Sequence, residues 1–285
     1  MLLQITHQTR YLYSQPVFLE PFVLRLRPRS DANQTVRSYH IDVTPTPEGV
    51  SHCIELDGNN SQTIWFSGLH QTLSLEVRTL VQTHHEDPFN FLLTDASALG
   101  LPLRYQPDLA LALSHCLQRP SDSPQVMAFA QEVMQRAKGE TIPFLTLLAQ
   151  QIPVRLKYML REHGEPWTAD ETLRRGEGSC RDFAVLFTEA CRSVGIAARF
   201  VSGYCMGDVA SGQHMHAWAE VYLPGAGWRG FDPSRGATTS DDHISVAASY
   251  HPAGAAPTCG SFRGQAESSM EVSISMRRLE PAEAG

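Results

Sequence analysis

Long apolar runs and clusters of basic residues are both missing from this sequence. No segment reaches the ~18 consecutive apolar residues that a membrane-spanning helix needs. Basic residues adjoin one another only as the pairs Arg174-Arg175 and Arg277-Arg278, and 23 Lys and Arg against 30 Asp and Glu give a net charge of -7. We therefore expect neither a membrane nor a nucleic acid as a partner.

Cysteine is scarce and shows no paired spacing. Because no CxxC motif occurs, the sequence indicates neither a disulfide framework nor a structural zinc site. The amino terminus lacks the cationic leader and long apolar run of a secretory signal, so we expect a cytoplasmic, reducing location. In such a location a thiol is free to act as a nucleophile. The six candidates are Cys53, Cys116, Cys180, Cys191, Cys205 and Cys259.

The pattern of apolar residues changes along the chain. Residues 1–85 hold short runs rich in β-branched and aromatic residues, separated by Pro, Gly and Asn, which predict a β-rich amino-terminal domain. Residues 86–120 are broken by prolines and predict a connecting segment. From Ser121 the spacing becomes helical, and alternation returns near the carboxy terminus, so residues 121–285 predict a mixed core with closing strands. The sequence thus predicts an α+β protein.

One cysteine stands at a predicted helix start. In GEGSCRDFAVLF, Cys180 follows a Gly-Glu-Gly-Ser turn. A thiol at the start of a helix lies at the positive end of the helix dipole, which favours the thiolate. Gly195 is the predicted end of this helix. The apolar positions that recur at helical spacing after the cysteine are Phe183, Phe187, Ala190 and Val194.

Two further polar residues fall on a predicted hairpin. HAWAEVYL and WRGFDP read as strands around a turn, and His216 and Asp232 mark their outer ends. If residues 224–226 form a three-residue loop, Trp218 lies opposite Asp232, and His216 is its diagonal neighbour on the same face. Such neighbours are ~7–8 Å apart, within reach of an imidazole and a carboxylate. A loop of even length would place the two on opposite faces.

These three residue types support nucleophilic catalysis by a thiol. Such catalysis needs a stabilised thiolate, an imidazole within hydrogen-bond reach and a group that orients the imidazole. Cys180, His216 and Asp232 meet these needs if the fold brings them together. The thiolate would then attack an amide or ester carbonyl.

The motifs resemble a known family. GSCRDFAVLFTEACRSVGIAARFVSGY and HAWAEVYLPGAGWRGFDPS are similar to the core of bacterial transglutaminase-like proteins, a branch of the papain-like cysteine enzymes, and RYLYSQPVFLEPFVLRLRPR is similar to their amino-terminal β region. The resemblance implies a papain-like fold, with Cys180 as nucleophile, His216 as base and Asp232 as orienting acid. It also implies a protein or peptide amide as substrate and no cofactor. Residues 249–260 depart from the family because they lack a charged Arg-Asp stretch.

Three alternatives stay open at this point. An arylamine N-acetyltransferase uses the same residue types, although no basic cluster for coenzyme A phosphates stands near the motifs. A binding or scaffold module could keep the fold without turnover. A metal-dependent hydrolase could use His214, His216 and Asp232, with His243 as a further ligand. We predict no metal, because an HxH pair alone is weak evidence. The sequence does not indicate an oligomeric state.

Overall fold

The amino-terminal part of the computed structural model is built from two antiparallel sheets. The structure describes residues 1–84, 87–119, 122–161, 164–207 and 213–280. Inward residues alternate with outward ones along the long strands, as a half-buried sheet requires. The strands are β1 (Leu2–Leu19), β2 (Phe22–Leu24), β3 (Gln34–Thr44), β4 (Gly49–Ile54), β5 (Asn60–Trp65) and β6 (His70–Thr83).

A set of helices follows and forms the centre of the second half. Short 3-10 and α-helical turns occupy the segment predicted as a connection. Ser123 caps α3 by accepting a hydrogen bond from the Val126 N–H at 3.3 Å, and Pro124 follows it. The elements are α1 (Pro107–Ala112), α2 (Ser114–Leu117), α3 (Pro124–Arg136), α4 (Thr141–Arg155), β7 (Lys157–Tyr158), α5 (Ala169–Arg175), β8 (Glu177–Gly178) and α6 (Cys180–Ser193).

A five-stranded antiparallel sheet packs against α6. Its strand order is β12-β11-β10-β9-β13. Leu223 pairs with Gly227 across the predicted three-residue loop, so the predicted register of this hairpin is confirmed. The remaining strands are β9 (Ala198–Cys205), β10 (Met215–Leu223), β11 (Gly227–Asp232), β12 (Ala237–Thr238), β13 (His243–Ser249), β14 (Thr258–Cys259), β15 (Phe262–Arg263) and β16 (Ser268–Arg278).

The helix α6 lies in the largest apolar core. Phe183, Leu186, Phe187 and Ala190 are fully buried on it. Gly195 follows the helix with a φ of +81°, a left-handed conformation that ends helices and favours glycine. It also approaches the main chain of Leu103 so closely that a side chain would collide.

A smaller apolar cluster joins the two halves of the protein. Leu3 and Ile5 of β1 pack there against Tyr204 of β9 and Ile244 of β13. The side-chain amides of Gln34 and Asn59 also reach β13 from the amino-terminal half. Each of these amides donates a hydrogen bond to a β13 carbonyl and accepts one from a β13 N–H, at 2.8–2.9 Å. The edge of β13 is therefore closed by two side chains.

The closing strand β16 belongs to the amino-terminal sheet. It pairs with β1 from Leu3 opposite Arg278 to Tyr13 opposite Ser268. The alternation near the carboxy terminus, which includes Val272 and Met276, thus correctly predicts a strand. The partner of this strand lies at the other end of the chain. The boundaries at residues 85 and 120 stay a prediction. No helix in the described ranges is long and apolar enough to cross a membrane.

Candidate active site

The helix α6 begins at Cys180, and its first turn is held by a buried carboxylate. The carboxylate of Asp182 accepts hydrogen bonds from the Ser179 N–H at 2.8 Å and the Ser179 hydroxyl at 2.7 Å. Arg161 donates to both oxygens of Asp182 at 2.6 and 2.8 Å. Burial opposes the charged form, but these hydrogen bonds keep the pKa of Asp182 below its usual value. The position of Cys180 is therefore fixed by the hydrogen bonds between Ser179 and Asp182 on either side of it.

The imidazole of His216 lies between a carboxylate and the thiol. His216 stands near the start of β10, and Asp232 ends β11. Nε2 of His216 is 2.7 Å from Oδ2 of Asp232, which is fully buried. The ring also lies close enough to Cys180 for the thiol to affect its protonation, and Nδ1 is the nitrogen that Asp232 leaves free to face it. The three side chains predicted from the sequence are therefore brought together.

The charges at this site favour a protonated imidazole. Burial opposes the charge, but the hydrogen bonds and charges of Asp232 and Cys180 outweigh it and raise the pKa of His216 to about 10. Burial likewise opposes the ionised form of Asp232, but His216 and His243 lower the pKa of this carboxyl far below its usual value. The arrangement thus stores a positive charge beside the thiol and a negative charge behind it.

Tyr158, which no sequence motif marks, also lies near the thiol. It is on β7, is 46% exposed, and its hydroxyl is close enough to Cys180 for the two groups to affect each other's protonation. Burial, followed by the charges of Cys180 and Asp232, raises the pKa of Tyr158 to about 12. Tyr158 therefore keeps its proton and can donate it in a hydrogen bond. A tyrosine in a two-residue strand carries no motif, so only the fold shows this proximity.

A second histidine completes the polar network. His243 lies on β13, and its Nε2 is 3.2 Å from the same Oδ2 of Asp232 that bonds His216. Its Nδ1 is 2.6 Å from a carboxylate oxygen of Asp242. Burial opposes the charged ring, but these carboxylates and Cys205 raise the pKa of His243 well above its usual value. His243 is therefore a second cation behind the triad.

One set of side chains has the spacing of a metal site. The ligand atoms of Cys205, His216, Asp232 and His243 lie within 4.8 Å of one another. This set omits His214, which is exposed and was part of the metal alternative read from the sequence. Cys205 is half-buried and also lines a cleft.

The thiol opens into a cleft of about 710 Å³ between the two halves of the protein. Residues 252–258 form one wall of the cleft, mostly with small apolar side chains. The amino-terminal sheet contributes another wall through β1 and β16. Residues lining the cleft include His7, Thr9, Tyr158, Cys180, His216, Pro252, Ala255, Pro257, Met270 and Val272.

Comparisons with known proteins agree with this architecture. Residues 3–82 match the bacterial transglutaminase-like N-terminal region, and residues 127–233 match the transglutaminase-like superfamily. The chain belongs to the transglutaminase-like superfamily. Members of this superfamily are generally enzymes. The superfamily match ends just after Asp232 and includes Cys180 and His216.

Similar proteins match this chain over nearly its whole length. An uncharacterized protein of Mycobacterium leprae is 24% identical over 97% of this chain and 99% of its own length. An uncharacterized protein of Mycobacterium tuberculosis is 27% identical over 95% of this chain and 91% of its own. A solved structure from Cytophaga hutchinsonii, provisionally assigned as a cysteine protease, superposes with a TM-score of 0.72 at 21% identity, over 98% of this chain and 92% of that one. It shows that the transglutaminase-like fold extends over nearly the whole chain.

Proposed function

We propose that this protein is a thiol-dependent enzyme that transfers or hydrolyses the acyl group of an amide bond. Cys180 is the nucleophile, His216 the general base and acid, and Asp232 the group that orients the imidazole. One observation carries the proposal: His216 is hydrogen-bonded to Asp232 and lies close enough to Cys180 for the thiol to affect its protonation. Cys180 itself begins a helix and lines the wall of a cleft.

The first half of the reaction forms a thioester. The Cys180 sulfur attacks the carbonyl carbon, and the π electron pair of the carbonyl moves to its oxygen. The N–H of Cys180, at the first helical position, has no helical acceptor and can donate to this oxyanion. When the intermediate collapses, His216 gives its Nδ1 proton to the leaving amine, and the C–N bond breaks.

The second half frees the enzyme. Water, or an amine if one reaches the site first, attacks the thioester carbonyl while His216 takes its proton. The sulfur leaves as a thiolate, and the imidazolium beside it is restored. Asp232 keeps the ring oriented with its Nε2–H toward the carboxylate throughout both halves. Peptidase, amidase and transglutaminase chemistry share these steps up to the thioester.

A turnover screen tests this proposal. Wild type and a Cys180→Ala variant would be incubated with peptide amides and with pairs of a glutamine peptide and a primary amine. We expect product in the wild type and none in the variant, while the matched variant Cys191→Ala, altered at a buried thiol on the same helix, retains turnover if it folds. If no substrate distinguishes wild type from Cys180→Ala, the scaffold alternative replaces the proposal. Turnover with acetyl-coenzyme A and an arylamine alone would favour the acetyltransferase.

We also propose that the protein works in the cytoplasm, as expected from the sequence. This location accords with a thiol nucleophile, which a reducing compartment protects from oxidation. Fractionation of the native cells with an antibody against this chain would test it, and recovery outside the cytoplasm would overturn it.

A further inference from the structure

The outer edge of β16 is an incomplete sheet edge. Along the strand, alternate residues direct their N–H and C=O groups to opposite sides. The N–H of Leu279 bonds to the carbonyl of Leu2 at 2.9 Å, so odd-numbered residues face β1. The main-chain groups of even-numbered residues therefore face away from β1.

The side chain of Gln213 confirms this direction and takes the place of a neighbouring strand. The N–H of Met276 donates to Oε1 of Gln213 at 2.5 Å, and Nε2 of Gln213 donates to the Met276 carbonyl at 3.1 Å. One amide thus makes the pair of hydrogen bonds that a neighbouring strand would make. The next even-numbered residues, Ile274, Val272 and Met270, have no such partner among the residues that the structure describes.

This open stretch lies at the candidate active site. Met270, Glu271 and Val272 line the same cleft as Cys180 and His216. Val272 is 44% exposed. The outer edge of β13, by contrast, is occupied by the amides of Gln34 and Asn59. In the described part of the chain, the fold thus fills the edge of β13 and leaves this stretch of β16 unpaired along the cleft that Cys180 lines.

We propose that this edge is a docking site for an extended polypeptide, which adds to β16 as a further strand and carries its reactive amide to Cys180. The inference rests on the proposed function and names its substrate class. Main-chain hydrogen bonds to Val272 and its even-numbered neighbours give affinity without demanding a particular sequence. Gln213 marks where the added strand must end, because its amide already fills the next position.

Electrophilic peptides test the inference without knowledge of the natural substrate. One probe is a tetrapeptidyl chloromethyl ketone, and a second is a heptapeptide with a central 6-diazo-5-oxonorleucine, so that both sides of the reactive carbon are sampled. Each is compared with its single-residue counterpart, and the rate of Cys180 modification is measured by peptide mass mapping. We expect at least one long probe to react about tenfold faster than its short counterpart, as two or more added hydrogen bonds would give.

A pair of substitutions separates the contribution of the Val272 main chain to probe binding from that of its side chain. Val272→Pro removes the outward N–H and no hydrogen bond to β1, whereas Val272→Ala keeps the N–H and shortens the side chain. The ratio of long-probe to short-probe rates should fall toward one in Val272→Pro and persist in Val272→Ala. Because a ratio is compared, a general change in thiol reactivity cancels.

N-methylation of the long probe gives a second readout in the unaltered protein. Methyl groups on alternate peptide nitrogens should slow modification, and those on the intervening nitrogens should not, because only every second N–H of an added strand faces β16. Equal rates for long and short probes of both kinds would overturn the inference while leaving Cys180 as a reactive thiol. Failure of every probe to modify Cys180 would overturn the proposed function itself.

Discussion

Nε2 of His243 lies 3.2 Å from Oδ2 of Asp232. The same oxygen is 2.7 Å from Nε2 of His216, while the other carboxylate oxygen accepts hydrogen bonds from Ser234. The carboxylate is thus held from both sides, and it cannot rotate away from His216 without breaking several contacts. His243 is therefore a positioning residue that acts through Asp232.

Replacing His243 should lower turnover without removing the nucleophile. In His243→Gln the second cation beside Asp232 is lost, so the carboxylate stabilises the imidazolium of His216 more fully and the pKa of His216 rises. We expect kcat to fall about tenfold, the effect of losing ~1.4 kcal/mol of coupling. The pH profile of kcat and an NMR titration of His216 would measure both changes. An unchanged profile would show that His243 serves the structure alone.

Two histidines of the cleft, His216 and His7, should affect the free energy of unfolding in opposite pH ranges. The pKa of His216 is raised from 6.5 to about 10, so its stabilising contribution is complete below pH 6.5 and is lost as pH rises through 10. Burial lowers the pKa of His7 to about 4, so its contribution is lost as pH falls from 6.5 to 4. Urea unfolding of His216→Ala and His7→Gln against wild type, from pH 4 to 10, would measure this. The same pH trend in both variants would contradict the assignment.

The buried carboxylate of Asp182 should contribute more to the free energy of unfolding than an exposed carboxylate does. Asp182→Asn leaves Arg161 without its charged partner and weakens the cap of α6, so the free energy of unfolding should fall by about 3 kcal/mol. Glu171→Gln breaks only the exposed pair with Arg175, and it should cost less than about 1 kcal/mol. Urea denaturation of the two variants makes the comparison. Equal losses would show that Asp182 does not anchor the helix start.

Chelation should leave the proposed activity intact. His216 and Asp232 carry out the proton transfers themselves in the proposed mechanism, so no step needs a Lewis acid. Incubation with EDTA, followed by assay with and without added Zn²⁺, checks this. Loss of activity with EDTA and its recovery with Zn²⁺ would instead favour a metal at the cluster of Cys205, His216, Asp232 and His243.

The main features of the site could be predicted from local sequence. A three-residue loop fixes the register of β10 and β11, and this register alone places His216 and Asp232 on one face. The turn before Cys180 likewise marks the helix start. These predictions succeed because each depends on residues that are close in the sequence.

Contacts between distant segments could not be predicted in this way. Tyr158 lies on a two-residue strand before α5, and His243 comes from β13, which lies three strands away in the sheet from β11, the strand that Asp232 ends. The pairing of β16 with β1 joins the two ends of the chain. Alternation shows that a strand exists, but it does not identify the partner, because side-chain patterning is the same for any neighbour.

His216 and the start of α6 should make Cys180 more reactive than its exposure alone would. Iodoacetamide labelling at neutral pH, with each cysteine quantified by mass mapping, measures this difference. Cys53 and Cys259 are exposed, whereas Cys180 is half-buried. We predict that Cys180 is labelled first and loses this lead in His216→Ala. If labelling follows exposure, with Cys53 and Cys259 modified before Cys180 in the wild type, Cys180 is not an activated thiol.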